Sequence, residues 1–396
     1  MDKEQKPKNK NAFFIGFLSF FGGISQDVFA PILPIYYTAV LGFDKTFIGV
    51  AEGLVAAGSY IFTVVAGFFS DKFKKQKPII FAGYFLSFIS RPLLALFNSP
   101  GSVLGLRFAD GVGKGIKDPP KDVLIAGSSE KNVRGKSFGI VRMMDTLGSV
   151  AGPLILFGLL YIWKSSPLVY HYIILFAAVP LVFTLTTLVL GVKETQNPGT
   201  PAAASSAPSK PLPKQYFIFL GTMALFTIGN SSDAFLILRA QSLGVTILEI
   251  PLVIALFNLI YALFAVPLGS LSDRIGRVPT ILIGWAAYAL VYLGFALANH
   301  AYLIWFLYAF YGIYYATNLG VAKAFLADLV GPEHRGRAFG IYGMTIGLVT
   351  LMASLIAGSL WDRVGAQAPF YFGAVAAAIA AIILFLSAKK LKVAPA

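Results

Sequence analysis

The sequence predicts an all-α membrane protein with twelve transmembrane helices in two six-helix repeats. Hydrophobic residues make up 57% of the chain and charged residues only 13%, whereas a soluble domain usually carries about 25% charged residues. The mean hydropathy is +0.74, and the 396 residues suffice for a dozen spans of about 20 residues each. Motifs from the first half of the chain recur in the second half. Composition and repetition therefore both favour a duplicated helical membrane fold.

Polar breaks divide the chain into twelve apolar runs, which we number as spans 1–12. The first six lie near 12–38, 46–69, 78–98, 101–127, 137–162 and 170–191, and the second six near 216–240, 247–271, 278–298, 301–329, 337–360 and 368–388. Span 1 has the charged start of a signal peptide but is too long for one, so we interpret it as a retained helix.

The organisation that follows from these runs is two helical bundles joined by a linker. Residues 195–214 are rich in Pro, Ala and Ser and have no apolar face, which is typical of a flexible linker. The predicted domains are an N-terminal bundle at 1–191, a cytoplasmic linker at 192–215 and a C-terminal bundle at 216–396.

The charge distribution predicts the topology. The two termini, the linker and the four other breaks on the same side hold 21 Lys and Arg, whereas the remaining loops hold three, Lys45, Lys164 and Arg363. The positive-inside rule then places both termini in the cytoplasm. The net charge of +14 is thereby explained by topology, and nucleic-acid binding is excluded. We expect a multi-pass protein of a cytoplasmic (inner) membrane.

Two motifs repeat at nearly the same offset along the chain. The segment GFFSDKFKK begins at Gly67 and GSLSDRIGR at Gly269, which are 202 positions apart. RGKSFGI begins at Arg134 and RGRAFGI at Arg335, which are 201 positions apart. A duplicated six-helix unit is typical of secondary transporters, in which two related halves move against each other around a substrate site.

The G-x-x-S-D-[RK] pattern after spans 2 and 8, and GPEHRGRAFG at 331–340, resemble the major facilitator superfamily. Lys74 departs from the pattern by replacing the glycine of the first motif. The resemblance covers essentially the whole chain and implies twelve spans, alternating access, a monomer and a small-molecule substrate. On this basis we assign closure of the cytoplasmic gate to Asp71, Asp273, Arg274, Arg134 and Arg335.

Span 4 contains an unusual ladder of charges within RFADGVGKGIKDPPKDVLIAG (107–127). Its seven members are Arg107, Asp110, Lys114, Lys117, Asp118, Lys121 and Asp122. A charge at mid-bilayer costs about 2.5–3.5 kcal/mol, so seven unpaired charges would cost on the order of 20 kcal/mol. The i,i+3 and i,i+4 spacings predict ion pairs on one helix face. The ladder is then either a structural clamp at the gate or, in its deeper part (Arg107, Asp110 and Lys114), a lining of the transport cavity.

The family resemblance favours the cavity interpretation. Spans 1, 4, 7 and 10 line the cavity in the superfamily, and here they hold Asp27, the deep trio of span 4, Asp233 with Arg239, and Lys323. Leu106, Arg107, Gly111, Gly113 and Gly115 are similar to a span-4 motif whose arginine is linked to proton transfer. Gly148, Gly152, Pro153 and Gly158 resemble an antiporter motif of span 5, although small residues also serve close helix packing.

These patterns define the candidate site residues. For proton coupling we predict Asp27 and Asp233, with Arg107 and Asp110 as network partners. For substrate binding we predict Lys114, Arg239, Lys323, Asp27, Tyr37 and Tyr315, because deep cations suit a negatively charged group. The structural alternatives are an ion pair between Asp233 and Arg239 and ordinary packing of the aromatic residues. Arg142 and Asp145, at i,i+3, are expected to form a local pair.

The function predicted from the sequence is a proton-coupled transporter that exports small amphiphilic molecules of anionic or zwitterionic character. One alternative is a symporter or uniporter that imports an anionic metabolite, and another is a membrane receptor that has kept the fold without transport. The chain has no cysteine and only three dispersed histidines, so no cofactor or metal is expected. G-x-S-x-G and H-E-x-x-H motifs are also missing, and we do not expect an enzyme.

Overall fold

The structure is a computed structural model that describes residues 10–73, 75–128, 134–163, 166, 168–194, 211–330 and 334–391. For residues 10, 71–73, 134, 135, 319 and 320 it describes the backbone alone. Helices form nearly all of these ranges, which contain no β-strand. The predicted linker lies mostly outside the described residues.

The first six spans are helical over most of their predicted length. Span 1 is Lys10–Phe29, continued by a 3-10 turn (Ala30–Ile32), Leu33–Ile35 and a π-helical turn (Tyr36–Val40). Spans 2–5 are Lys45–Phe73, Lys77–Leu93, Pro100–Gly127 and Arg134–Trp163. Span 6 consists of Val169–Phe176, Ala178–Thr186 and a π-helical turn, Thr187–Gly191.

The second six spans follow the same plan, with one interruption. Span 7 consists of two helices, Lys214–Gly229 and Ala234–Ser242. Spans 8–12 are Glu249–Ile275, Arg277–Leu297, Ala301–Leu329, Arg335–Arg363 and Ala368–Ser387. Within the described ranges, eight helical stretches are long and apolar enough to cross a membrane by length and composition alone. The predicted all-α membrane fold is confirmed, and four spans are not among those eight: 3, 4, 7 and 10.

Residue contacts divide the chain into two compact units. The first unit comprises Met1–Leu33 and Gly58–Ala202, and the second comprises Pro34–Ala57 and Ala203–Ala396. The second unit thus includes the start of span 2, where Asp362 of span 11 accepts hydrogen bonds from the backbone N–H of Lys45 (3.2 Å) and Thr46 (2.7 Å). The domain boundaries at 191/192 and 215/216 stay predictions.

Glycines allow the charged span 4 to pack inside the first unit. A Cβ atom on Gly113 would lie 2.6 Å from the carbonyl oxygen of Gly83 in span 3. A Cβ atom on Gly115 would clash with the backbone of Ser59 in span 2. Because each glycine admits a different neighbouring helix, span 4 is enclosed on two sides. In span 5, Gly148 faces the backbone of Phe20 in span 1 in the same way.

Span 7 is interrupted at residues 230–233, where the sequence reads NSSD, and side chains of the second unit bind the exposed backbone. The Tyr288 hydroxyl donates to the carbonyl oxygen of Gly229 (2.9 Å), and the N–H of Ser232 donates to the Ser354 hydroxyl (3.3 Å). Short polar side chains compete with helical hydrogen bonds. Irregular backbone at membrane depth occurs where protein or a water-filled cavity surrounds it. The hydrogen bonds from Tyr288 and to Ser354 supply such surroundings for the break.

Candidate functional site

Four charged side chains in the first unit form a group that we call the charge cluster: Arg91, Arg107, Asp110 and Lys114. Asp110 lies at its centre, with one oxygen 3.0 Å from Arg91 Nε. Its other oxygen is 3.4 Å from both Arg107 Nη1 and Lys114 Nζ. The predicted contacts of Arg107 and Lys114 with Asp110 are therefore present, and Arg91 of span 3 adds a third cation.

Arg91 ties the charge cluster to span 1. Its Nη1 donates to the Ser25 hydroxyl (2.6 Å) and its Nη2 to Gln26 Oε1 (2.9 Å). The Phe29 ring lies under both guanidinium groups, with its centroid 5.2 Å from Arg91 Cζ and 5.7 Å from Arg107 Cζ. The sequence interpretation gave Arg91 no role. Its separation from span 4 along the chain hides the pairing.

The charge cluster has an excess of positive charge and one accessible member. Three cations surround a single carboxylate, so the group carries a formal charge of +2. Asp110 is fully buried, and Arg91 and Arg107 are almost fully buried, whereas 21% of the Lys114 side chain is exposed. A buried excess charge is stabilised when a counter-ion arrives. Lys114 is the member that can reach one.

Other ion pairs of the first unit lie at the ends of spans 4 and 5, and those of Asp118 are with Lys117 and Lys121, which the spacing argument had not paired with it. Asp118, which is 51% exposed, contacts Lys117 Nζ at 3.1 Å and Lys121 Nζ at 3.4 Å. Arg142 and Asp145 form the expected local pair at 3.2 Å, and both are exposed. These exposed pairs contribute little to folding stability, which is consistent with the structural interpretation of this end of the ladder.

Asp27 of span 1 lies beside span 5 in the first unit. Its carboxylate is hydrogen-bonded with the Ser149 side chain and interacts electrostatically with Lys114 and Arg91 of the charge cluster. A Cβ atom on Gly152 would lie 2.8 Å from Asp27 Cβ, so this glycine leaves the room that the aspartate occupies. Asp27 is half-buried. A carboxylate and an excess of cations are thus brought together within one unit.

Asp233 lies at the end of the break in span 7 and is bound by tyrosines. Tyr311 Oη donates to one carboxylate oxygen (2.7 Å) and Tyr315 Oη to the other (2.9 Å). Phe257 and Tyr261 of span 8 both meet the Tyr315 ring nearly edge-on, at centroid distances of 5.0 and 6.1 Å. We call these five residues the tyrosine–carboxylate cluster. Asp233 itself is exposed.

Arg239 binds backbone rather than Asp233. Its guanidinium donates to the carbonyl oxygens of Phe295 (3.0 Å), Ala296 (3.4 Å) and Ala298 (2.8 Å) at the end of span 9. The last carbonyls of a helix have no partner inside the helix, and a cation there is favourable. Arg239 is buried. Its surroundings explain its presence without a substrate.

The other predicted substrate residues differ in accessibility. Tyr37 is fully buried, with its ring 6.2 Å from that of Phe47. Lys323 is exposed, and within the described part of the chain it forms no ion pair. Tyr315 is half-buried within the tyrosine–carboxylate cluster. The geometry therefore leaves Lys114, Lys323, Tyr315 and Asp27 accessible to a ligand.

The predicted gate residues are only partly described. The side chains of Asp71 and Arg134 lie outside the described residues, and Asp273, Arg274 and Arg335 are exposed. The assignment of these five residues to closure of the cytoplasmic gate stays a prediction.

Arg277, rather than Arg274, joins the span 8–9 loop to span 10. Its Nη1 donates to Asp273 and to the Ser272 hydroxyl, each at 2.6 Å, and its Nε lies 3.4 Å from Asp328. The sequence interpretation quoted Arg277 as part of the motif but assigned it no role. The motif GSLSDRIGR contains two arginines, and the sequence alone does not indicate which of them forms ion pairs with Asp273 and Asp328.

Searches against known proteins agree with this architecture. The family model described as Major Facilitator Superfamily matches residues 14–237 and 217–395. An uncharacterized MFS-type transporter of Methanocaldococcus jannaschii is 37% identical over 390 residues, which cover 97% of this chain and 96% of that protein. A class C tetracycline resistance protein of Escherichia coli is 37% identical over 125 residues, covering 31% of this chain and 30% of that protein.

The fold is also found among solved structures. A D-xylose-proton symporter superposes with a TM-score of 0.75 at 16% sequence identity, covering 98% of this chain and 98% of that chain. At this identity the likeness concerns the fold alone. The helical architecture, the family match over nearly the whole sequence and the archaeal relative lead to one conclusion: the chain belongs to the major facilitator superfamily and is a multi-pass membrane transporter.

Proposed function

We propose that this transporter is a proton-coupled secondary active exporter of small amphiphilic organic molecules with anionic or zwitterionic character. It works by alternating access in a cytoplasmic (inner) membrane, with both termini in the cytoplasm and as a monomer. The observation that supports it most is the charge cluster with Asp27 beside it. With Asp27 counted as a carboxylate, one positive charge of the cluster remains in excess in the first unit, and this charge needs a negatively charged partner during the cycle.

Asp27 is the proposed proton-coupling residue of the first unit. It interacts with Lys114 and Arg91 but is only half-buried, so its charge state responds to what Lys114 binds. A positively charged group of a zwitterionic cargo beside Asp27 favours the deprotonated carboxylate, so that proton and cargo bind alternately, as export by antiport requires. An anionic group on Lys114 has the opposite effect and couples proton and anion in the same direction, which is the import alternative. Asp110 holds Arg91 and Arg107 in place beside this site.

Export is supported by two independent features. The class C tetracycline resistance protein matches about a third of the chain, and a transporter that confers resistance lowers the concentration of its compound in the cell. Gly148 and Gly152 of span 5 pack directly against span 1, as their antiporter-like motif suggests. The same glycines also allow the two helices to pack closely, which is a structural purpose. The vesicle experiment below determines the direction of transport.

Import of an anionic metabolite is the second candidate, because the same excess of cations would serve it. The deciding experiment uses inside-out vesicles acidified by respiration, with a fluorescent dye that reports the pH gradient. Anionic, zwitterionic and cationic compounds are added one at a time, beside vesicles that lack the protein. Dequenching that depends on the protein is expected for at least one compound.

The outcomes separate the two directions. Protein-dependent dequenching means that protons leave the vesicle as cargo enters, which is export in the cell. Compounds that move only when the pH gradient is reversed or collapsed would overturn export and establish import. Lack of movement of every compound, with retained binding, would favour a receptor of the same fold.

A further inference from the structure

The tyrosine–carboxylate cluster differs in charge from the deep cations of the chain. Asp233 is an exposed carboxylate in the membrane part of the second unit, and no Lys, Arg or His of the described residues forms an ion pair with it. Glu52, which has the same sign, interacts with it electrostatically. This part of the second unit is therefore negative.

Two hydroxyl groups hold the carboxylate in a fixed orientation. Tyr311 and Tyr315 each donate to a different oxygen of Asp233, at 2.7 and 2.9 Å. A carboxylate has about four acceptor positions, so the two donors leave capacity for a further partner. Exposure of Asp233 means that such a partner has access. A charged side chain that faced lipid instead would be costly.

Aromatic rings surround the same carboxylate at steep angles to one another. The Tyr315 ring stands at 89° to Phe257 and at 66° to Tyr311, with centroids 5.0 and 5.1 Å away. The rings of Tyr315 and Phe257 are only partly buried, and the face of an aromatic ring attracts cations. Aromatic faces beside a carboxylate suit a positively charged nitrogen.

The rings are rigidly supported from behind. Tyr288, Tyr292 and Tyr314 of spans 9 and 10 pack on Tyr311, with centroid distances of 6.3, 6.3 and 5.5 Å. A preorganised ring arrangement lowers the entropic cost of binding. The break in span 7 adds to this, because discontinuous membrane helices commonly form transporter binding sites.

We propose that Asp233 and the rings of Tyr315 and Phe257 bind a positively charged nitrogen of the transported molecule, while the buried Tyr311 orients the carboxylate. This inference rests on the proposed function, because it assigns one part of the cargo. Of the two charge classes proposed above, it selects the zwitterionic one. The group recognised is an ammonium, whether primary or alkylated, attached to an apolar body.

The test compares three molecules that share a phenyl ring and a similar chain: 2-phenylethylammonium, 3-phenylpropionate and phenylalanine. Each is titrated into the purified full-length protein in detergent, and the thermal unfolding midpoint is recorded. We expect 2-phenylethylammonium and phenylalanine to raise the midpoint in the wild-type protein. The Asp233→Asn variant should bind both at least about tenfold more weakly, through loss of a charge-assisted contact.

A ring variant makes the test independent of the carboxylate. Tyr315→Leu should weaken binding of 2-phenylethylammonium by about 5- to 30-fold, the range of a cation–π contact of about 1–2 kcal/mol. Tyr302→Leu is the matched control, because Tyr302 lies on the same helix but is exposed at its start. That variant should bind as the wild type does. Tyr315→Phe keeps the ring and should lose much less affinity than Tyr315→Leu.

Two results would overturn the inference. One is a wild-type protein that responds to neither ammonium compound. The other is ammonium binding that is unchanged in both Asp233→Asn and Tyr315→Leu. If Asp233→Asn abolishes proton movement but keeps wild-type ammonium affinity, the inference fails and the proton-coupled function stands. If ammonium binding depends on Asp233 but no compound moves protons, the proposed coupling fails and the inference stands.

Discussion

The two units stabilise their membrane carboxylates in different ways. In the first unit, Asp110 is fully buried and is surrounded by three cations. In the second unit, Asp233 is exposed and is bound by two tyrosine hydroxyl groups. The duplicated fold therefore does not repeat its chemistry. One unit provides excess positive charge and the other provides a negative charge with aromatic faces.

This difference in burial indicates which carboxylates stabilise the fold and which can bind a proton or cargo. Asp110 cannot release its partners without leaving buried cations unpaired, which is strongly unfavourable. Asp27 and Asp233 are more accessible, and each contacts hydroxyl groups that tolerate a change in its charge. We therefore expect the accessible carboxylates to serve transport and the buried one to serve stability.

The largest effect is expected at Asp27. The Asp27→Asn variant should lose gradient-driven transport completely while still exchanging cargo for cargo, because it keeps the size of the side chain but cannot change its charge. Transport in proteoliposomes with and without a pH gradient measures both activities. The control is Asp118→Asn in span 4, where the carboxylate is exposed and paired with Lys117 and Lys121. Unchanged proton-driven transport in Asp27→Asn would remove Asp27 from the coupling mechanism.

The second prediction concerns stability at Asp110. Asp110→Asn should lower the free energy of unfolding by about 3–5 kcal/mol, because it leaves buried cations without their anion. Denaturant unfolding of the purified protein in detergent measures this. Asp118→Asn is the matched control, since Asp118 also contacts two lysines but is half-exposed. Its loss should be about 0–1 kcal/mol. Equal losses in the two variants would refute the distinction between buried and accessible charges.

The third prediction separates two cations that the sequence interpretation treated alike. Lys114→Gln should raise the apparent KM for an anionic or zwitterionic cargo about tenfold, equivalent to about 1.4 kcal/mol, with little change in stability. Arg239→Gln should lower the free energy of unfolding with little change in KM, because it removes the donors to the backbone carbonyls at the end of span 9. Transport kinetics and unfolding are measured on both variants. Poor folding with unchanged affinity in Lys114→Gln would assign that lysine a structural role.

Sequence patterns predicted the helical fold well because each span is a local feature. Hydropathy, repeat offset and charge distribution are all readable along the chain. The contacts of Asp110 with Arg107 and Lys114 were predictable for the same reason, since i,i+3 and i,i+4 neighbours share a helix face. These are the parts of the site in which spacing along one helix fixes the geometry.

Contacts between spans were not predictable in the same way. Arg91 contacts Asp110 from another helix, and no spacing rule links the two. An ion pair of Asp233 with Arg239, six positions later, was the structural alternative, but six residues do not return to the same helix face. Its partners are two tyrosines of span 10 instead. The break in span 7 did have a local signal, because NSSD at 230–233 is a run of poor helix formers.

An effect of similar size to that of Lys114→Gln is expected from the contacts that hold this break. Tyr288→Phe removes the hydroxyl that donates to the carbonyl oxygen of Gly229 and leaves the ring packing in place. A buried carbonyl that loses its donor costs about 1–2 kcal/mol, so the unfolding free energy should fall by that amount. Tyr302→Phe, on an exposed tyrosine of span 10, should change it by less than about 0.5 kcal/mol.

The Tyr288→Phe variant also sharpens the comparison between the units. Loss of the Tyr288 hydrogen bond should let the break move and so reorient Asp233 at its end. Ammonium binding in the second unit should therefore weaken together with the free energy of unfolding. Asp27 and the charge cluster belong to the other unit, so the effect of Lys114→Gln on KM should be the same with or without Tyr288→Phe. Independent effects of this kind are additive when two sites share no partners. A non-additive double variant would mean that Lys114 and the break in span 7 are energetically coupled during transport.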